Sequence, residues 1–221
     1  FCIPNSEFLQ IMAPPFLVSV ALITVCCFLF VRAEPMTVED AEIRLDPVRT
    51  VLYLALFALS IAIVFRGIPY WIGLIVIPAV LVFADRRALR PVDYPLLLTF
   101  VFFFIFAGNM ARIEGVKALF SGLLSKNTLL FSALSCQCIS NVPSAILLSQ
   151  FTGNYAELLA GVNIGGVGTL IASLASLITF REYGKHNPKK IRGYLLEFSA
   201  FNFGFLIVLL GFMEALYSLR A

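Results

Sequence analysis

The sequence predicts an all-α polytopic membrane protein with about six transmembrane helices, one re-entrant helical hairpin and one broken helix. Three observations carry that prediction. Of the 221 residues, 60% are hydrophobic and 13% charged, where a soluble domain averages about 25% charged, and the mean hydropathy is +0.95. Apolar runs near the length of about 20 residues that crosses a bilayer recur along the chain. Two of those runs are interrupted by Ser-Asn, proline or clustered glycines, which an uninterrupted membrane helix has no use for.

The first apolar run, Ile11 to Val31, carries Pro14 and Pro15 in what reads as its opening turn, where proline is tolerated. "RAEPMTVEDAEIRLDP" follows and reads as a solvated loop or short surface helix. Val48 to Phe65 is the second span, and Gly67 and Pro69 connect it tightly to the third, Ile68 to Ala84. Tyr70 and Trp71 read as an interfacial aromatic anchor, and Arg49 as a helix-end residue snorkelling to water. After "DRRALRPVDYP", Pro95 opens an aromatic-rich fourth span ending at Gly108-Asn109, so 48–110 reads as scaffold-type helices. In 111–127, charges fall between apolar residues at helical spacing, the pattern of an amphipathic helix at the interface, although an ordinary linker helix has the same pattern. Residues 128–151 read as the hairpin, 156–180 as the broken helix, 181–197 as a basic interfacial arm and 198–219 as the last helix. Neither a soluble domain, a low-complexity segment nor an internal repeat is detectable.

A net charge of +3, spread among loops, gives no support to a nucleic-acid partner. Cys26, Cys27, Cys136 and Cys138 lie in apolar runs and read as small apolar fillers rather than a disulfide framework or a metal pair. The chain begins at Phe1, and its first apolar run lacks a basic leader; we expect a fragment with further chain upstream.

Length does not decide whether 128–151 crosses the membrane, since 23 helical residues reach roughly 34 Å. Loop charge does, because Lys and Arg accumulate on the cytoplasmic side. If the segment turns back at Ser140-Asn141, one side holds 11 of the 16 basic residues: Arg32, Arg44, Arg49, Arg86, Arg87, Arg90, Arg181, Lys185, Lys189, Lys190 and Arg192. A full crossing gives an indecisive split of seven against nine. The expected protein is therefore a multi-pass cell-membrane protein with 32–49, 85–91 and 181–192 cytoplasmic and the C-terminus outside. Pro143 has no N–H and disfavours helix at Val142, at a cost of about 3 kcal/mol inside a helix. Thr128 to Ile139 would make roughly 18 Å of helix, which puts the tip near mid-membrane. There, irregular backbone survives only when buried in protein or lining a wet cavity. A proline-kinked transmembrane helix is the alternative.

"GVNIGGVGT" places Gly161, Gly165, Gly166 and Gly168 close together, with Asn163 and Thr169 among them. Gly161 and Gly165 form a GxxxG pair suited to close helix packing. Gly166 and Gly168 cannot share that face, so an unwound, two-part helix accounts for more of the pattern. Broken helices present amide and carbonyl groups that bind anions and cations respectively.

"SNVPSAILLSQFT" and "GVNIGGVGTLIASLASLI" resemble the C-terminal half of the ion transporter superfamily, which includes arsenite and sodium/proton permeases, citrate-transporter-like proteins and divalent anion/sodium symporters. The resemblance covers essentially the whole chain and implies half of an inverted-repeat transporter whose first repeat is missing. It implies a secondary active transporter of a small anion, citrate- or dicarboxylate-like or an arsenite-type oxyanion, coupled to sodium or a proton. Carried over by position, the binding residues would be Ser140, Asn141, Val142, Pro143 and Ser144 at the tip. Asn163, Gly165, Gly166, Gly168 and Thr169 would belong to the break, with a sodium site at Asn141 and Gly165. The symporters read Ser-Asn-Thr at the tip. Here Val142 lacks that hydroxyl, and Ser144 is the nearest substitute. The implied partners are membrane lipid, the small anion and the missing N-terminal half, with a homodimer left open; no cofactor is implied.

A cation/proton antiporter of the same superfamily is the alternative function; proton-coupled sites use intramembrane carboxylates, and none lies deep in a span of this chain, so the missing half would have to supply them. Glu157 and Glu197 lie at span entrances and Glu214 near the end of the last span. An intramembrane enzyme is less well supported: His186, the single histidine, lies in the basic loop away from Ser140.

Overall fold

The computed structural model describes residues 3–31 and 46–219, and every regular element among them is helical. This is an all-α membrane protein. The expected polar linker lies, up to residue 45, outside the described residues, as do Arg32, Arg44 and Arg220. The chain divides into two compact units, Phe1–Arg32 with Leu97–Ala221, and Ala33–Leu96.

The first helix, α1 (Asn5–Phe30), starts earlier than the apolar run suggests, so Pro14 and Pro15 lie inside it and not in its first turn. Ser19 Oγ donates to the Pro15 carbonyl at 2.7 Å, one turn back along the helix. In the smaller unit, α2 (Pro47–Val64) is capped by the Asp46 side chain, which accepts from Val48 N, with proline at the first helical position. A short turn leads to α3 (Tyr70–Ala84). Gly73 of α3 lies against Ile63, whose Cδ1 is 2.3 Å from where a Cβ would stand, so the two helices approach closely. At the other end, the Tyr53 hydroxyl donates to Asp85 at 2.8 Å. That bond holds the Asp85 carboxyl below its usual range, with Arg49 nearby adding to the effect.

Helix α4 (Tyr94–Met110), which belongs to the larger unit from Leu97 on, is followed by α5 (Glu114–Leu124) at an angle of 97°. Helix α5 is amphipathic: Val116, Phe120 and Leu124, four residues apart, face the core, and Phe120 stacks on Phe151 with ring centroids 5.1 Å apart. Then come α6 (Thr128–Ile139), α7 (Asn141–Leu148) and α8 (Tyr155–Ile164). Helix α9 (Leu174–His186) and α10 (Ile191–Ser218) complete the chain. One core cluster joins α4 through α8 around Cys136, Leu147, Leu148 and Leu158, and a second joins α1, α6, α8 and α10 around Leu129, Ile164, Leu209 and Met213.

By length and composition, three helical stretches among the described residues can cross a membrane alone: Asn5–Phe30, Pro47–Val64 and Pro188–Ser218. Helix α3 is apolar but has 15 residues, and α4 has 17. The basic arm expected at 181–197 is not a separate element. Its first residues extend α9 to His186, a 3-10 turn occupies Pro188–Lys190, and the rest opens α10. Only Asn187-Pro188 interrupts the helix, because proline lacks the N–H and disfavours helix before it. Stacking of Tyr183 on Tyr194, centroids 4.5 Å apart, joins the two helices across that turn.

Candidate functional site

The site is built where α6 ends. Nine residues of continuous helix would put Ser135 and Ser144 roughly 13 Å apart; instead their hydroxyl oxygens are 2.9 Å apart, so the chain folds back between them. Asn127 caps α6 by accepting from Leu130 N at 2.7 Å. At the far side of the hairpin, the Phe151 carbonyl accepts from Ser121 Oγ at 3.1 Å. Lys126 and Asn127 therefore line the same cleft, of about 430 Å³, as Thr152, Gly153 and Asn154. The hairpin starts and finishes at one end.

The reversal rests on Ser140, with φ 72° and ψ 158°, a region that glycine alone adopts without strain and that costs other residues about 1–3 kcal/mol. The break thus falls two residues before Val142, the position that Pro143 disfavours in a helix. Asn141, Val142 and Pro143 form the first turn of α7, where a missing N–H costs nothing because first-turn N–H groups lack helical partners. Pro143 and Ser144 are buried, while Val142 is exposed and donates its N–H to Asn141 Oδ1 at 2.9 Å.

Apolar run 156–180 is two helices. Between α8 and α9, residues 165–173 leave the α-helical path, apart from a 3-10 turn at Leu170–Ala172. The four glycines divide the work. A Cβ on Gly161 would stand 2.6 Å from the Leu129 carbonyl oxygen, and one on Gly165 would stand 2.7 Å from Ala133 Cα. These two let α8 lie directly on α6, the packing role of a GxxxG pair. A Cβ on Gly166 would meet Asn141 Nδ2 at 3.1 Å, and Gly168 has φ +126°. These two serve the break, by close approach to the tip and by conformation.

Tip and break are brought together. Ser140 Oγ donates to the Ala172 carbonyl at 3.3 Å, and Asn141 lies against Gly166. Asn163, exposed on the last turn of α8, donates through Nδ2 to the Leu159 carbonyl at 2.8 Å. Thr169 docks on α6: its N–H donates to Gln137 Oε1 at 2.8 Å and its hydroxyl to the Gln137 carbonyl at 3.1 Å. Of the expected residues, Ser144 is turned away from the break and towards Ser135. The Gly165 carbonyl accepts from Gln137 Nε2 at 2.8 Å. Gln137 itself was not among the expected residues. Its signal in the sequence is an uncharged amide between the two cysteines of "CQCI", a polar group that must find partners once buried.

The ends of four helices meet here: the C-termini of α6 and α8, and the N-termini of α7 and α9. Helix N-termini carry partial positive charge and C-termini partial negative charge, so the site can hold groups of either sign. Two carboxylates bond at the base of this hairpin: Glu214 accepts from Asn127 Nδ2 at 2.5 Å, and Glu7 from the Tyr155 hydroxyl. His186 ends α9, its ring nitrogen 3.0 Å from the Glu182 carbonyl oxygen.

A helical membrane protein with a reversed hairpin docked on a broken helix is the class this geometry defines. Two curated proteins are similar to the chain. One is the uncharacterized transporter MJ0456 of Methanocaldococcus jannaschii, 37% identical over 147 residues, which is 64% of this chain and 40% of that protein. The other is the inner membrane protein YbiR of Escherichia coli, 36% identical over 112 residues, 49% of this chain and 30% of that protein. The chain thus aligns with well under half the length of either. No family model matches the chain, and no solved structure matches it significantly.

Proposed function

We propose that the chain is the C-terminal half of a secondary active transporter of a small anion, citrate- or dicarboxylate-like or an arsenite-type oxyanion, coupled to a sodium or proton gradient. The observation that carries this reading is the docking of the Ser140-Asn141 tip on the unwound 165–173 segment. Interrupted helices whose ends meet at one place are how membrane transporters present backbone dipoles to a solute near the bilayer midplane. Similarity to a protein named as a transporter supports the same reading.

In this scheme Ser140, Asn141, Asn163 and Thr169 offer side-chain oxygens and amides to the solute or its coupling ion. Gly166 lets Asn141 approach the break, and Val142 and Pro143 shape the turn. Alternating access follows if the docked hairpin and broken helix move together against the other spans. Such a site needs a second hairpin and break from the remainder of the protein, which the chain's partial coverage of its relatives accommodates.

The test is uptake by the full-length protein in proteoliposomes, with arsenite, citrate and succinate as probes under imposed sodium or proton gradients. Asn141→Ala should abolish uptake of whichever anion the native protein accumulates, with membrane insertion unchanged. Native uptake by that variant would reduce the two interruptions to structural features.

A further inference from the structure

Gln137 makes more contacts with the helix break than any residue of the break makes with the hairpin tip. Its Nε2 lies 2.8 Å from the Gly165 carbonyl oxygen, 3.1 Å from that of Val167 and 3.1 Å from that of Ala133. Its Oε1 accepts from Thr169 N at 2.8 Å. The alternative amide orientation would set an oxygen against three carbonyl oxygens and a nitrogen donor against an N–H, so the network fixes the assignment. A primary amide has two hydrogens, fewer than the oxygens around it. The nitrogen is enclosed as a small cation would be, by oxygens from the last turns of α6 and from the unwound segment.

Gly168 supports the same arrangement. With φ +126°, its Cβ position lies 2.2 Å from Gln137 Oε1. The chain therefore lacks a side chain where the amide lies, and the amide occupies that space.

We propose that Gln137 is a positioning residue whose amide is a tethered stand-in for a cation at the carbonyl cluster of the helix break. Its role in shaping a solute site rests on the transporter reading above, whereas the docking of the break by this amide does not. Two consequences follow. The carbonyls of Gly165 and Val167 are engaged by the protein's own amide and are withheld from a coupling ion, which leaves the side chains of Ser140, Asn141, Asn163 and Thr169 as the ligands this half offers. The break also keeps its shape whether or not an ion is bound, because the stand-in is covalently attached.

The experiment is hydrogen exchange on the full-length protein in nanodiscs, read in peptides covering 165–173, with 155–164 as the folding control. Gln137→Ala and Gln137→Met should each raise exchange in 165–173 by about tenfold, the factor expected for losing roughly one net hydrogen bond. Ammonium chloride, but not choline chloride, should restore protection in Gln137→Ala at every amide of the segment except Thr169, whose acceptor is lost with the side chain, because ammonium fits among the carbonyls once the side chain is removed. It should not restore Gln137→Met, whose side chain still fills the space, and should leave the native protein unchanged. Native protection in Gln137→Met would overturn the proposal, since filling the space would then suffice. So would an opened Gln137→Ala that ignores ammonium, or a Gln137→Ala that never opens. If Gln137→Ala also loses protection in 155–164, Gln137→Met decides: opening confined to 165–173 supports the proposal, and native protection overturns it. Uptake by Asn141→Ala is measured separately. Native uptake there with intact ammonium rescue removes the transporter reading alone, and abolished uptake without rescue removes the stand-in alone.

Discussion

Ser140 combines a backbone conformation suited to glycine with a hydroxyl that reaches the Ala172 carbonyl. The two features oppose each other, which gives a test of what the residue is for. Ser140→Gly should relieve about 1–3 kcal/mol of strain and raise the melting temperature of the detergent-solubilised protein. If the hydroxyl serves a solute, the same variant should lose uptake. A Ser140→Gly protein that melts lower than the native one would show that the hydroxyl's bonds outweigh the strain. The polar pair Ser140-Asn141 was legible in the sequence because it interrupts an apolar run. The strain was not, because a φ angle is set by how α6 and α7 pack. The role of Gln137 is hidden for the same reason: its amide's partners in the break are 28 to 32 residues further along the chain.

At the scale of elements, the close pairing of α6 with α8 is what places the tip against the break. Gly165→Leu would push side-chain atoms into Ala133 Cα and the Ala133 carbonyl oxygen, 2.7 and 2.9 Å from the Cβ position. Backbone cannot yield as a flexible side chain does, so we expect a loss of about 1–3 kcal/mol or more and abolished uptake with insertion preserved. Gly204 of α10 has nothing within 4 Å of its Cβ position. Gly204→Ala should therefore gain about 0.5–1 kcal/mol from helix propensity and leave uptake as it was, when melting temperature and transport are measured side by side. Helix α5 and the break coincide with local patterns, apolar residues four apart and clustered glycines. Periodicity did not reveal that 181–197 would be shared between α9 and α10, since charged residues are also good helix formers and only Asn187-Pro188 interrupts them.

For the whole molecule, the distribution of basic residues and the hairpin geometry lead to one prediction about sidedness. On the proposed topology, single cysteines replacing Lys126 and Thr152 should react with a membrane-impermeant thiol reagent from the outside. Cysteines replacing Arg86 and Lys185 should react only from the cytoplasmic side. Labelling of positions 126 and 152 from opposite sides would make 128–151 a crossing helix and dissolve the proposed site. Apolar composition alone does not count the spans: α3 and α4 are each near the lower limit of a crossing, and α4 continues into α5 only after a 97° bend.

What the sequence by itself determined is the solvent this protein lives in and the places where its helices stop. Both are local properties, set by the transfer energy of each run and by the backbone preferences of Ser140, Pro143 and the glycines. Only the tertiary structure decided which glycines pack and which bend, that Ser144 faces Ser135, and that Gln137 occupies the carbonyl cluster of the break. Those outcomes depend on hydrogen bonds and contacts between residues distant in sequence, and a buried amide or carbonyl acquires its partner only when the helices carrying them pack together.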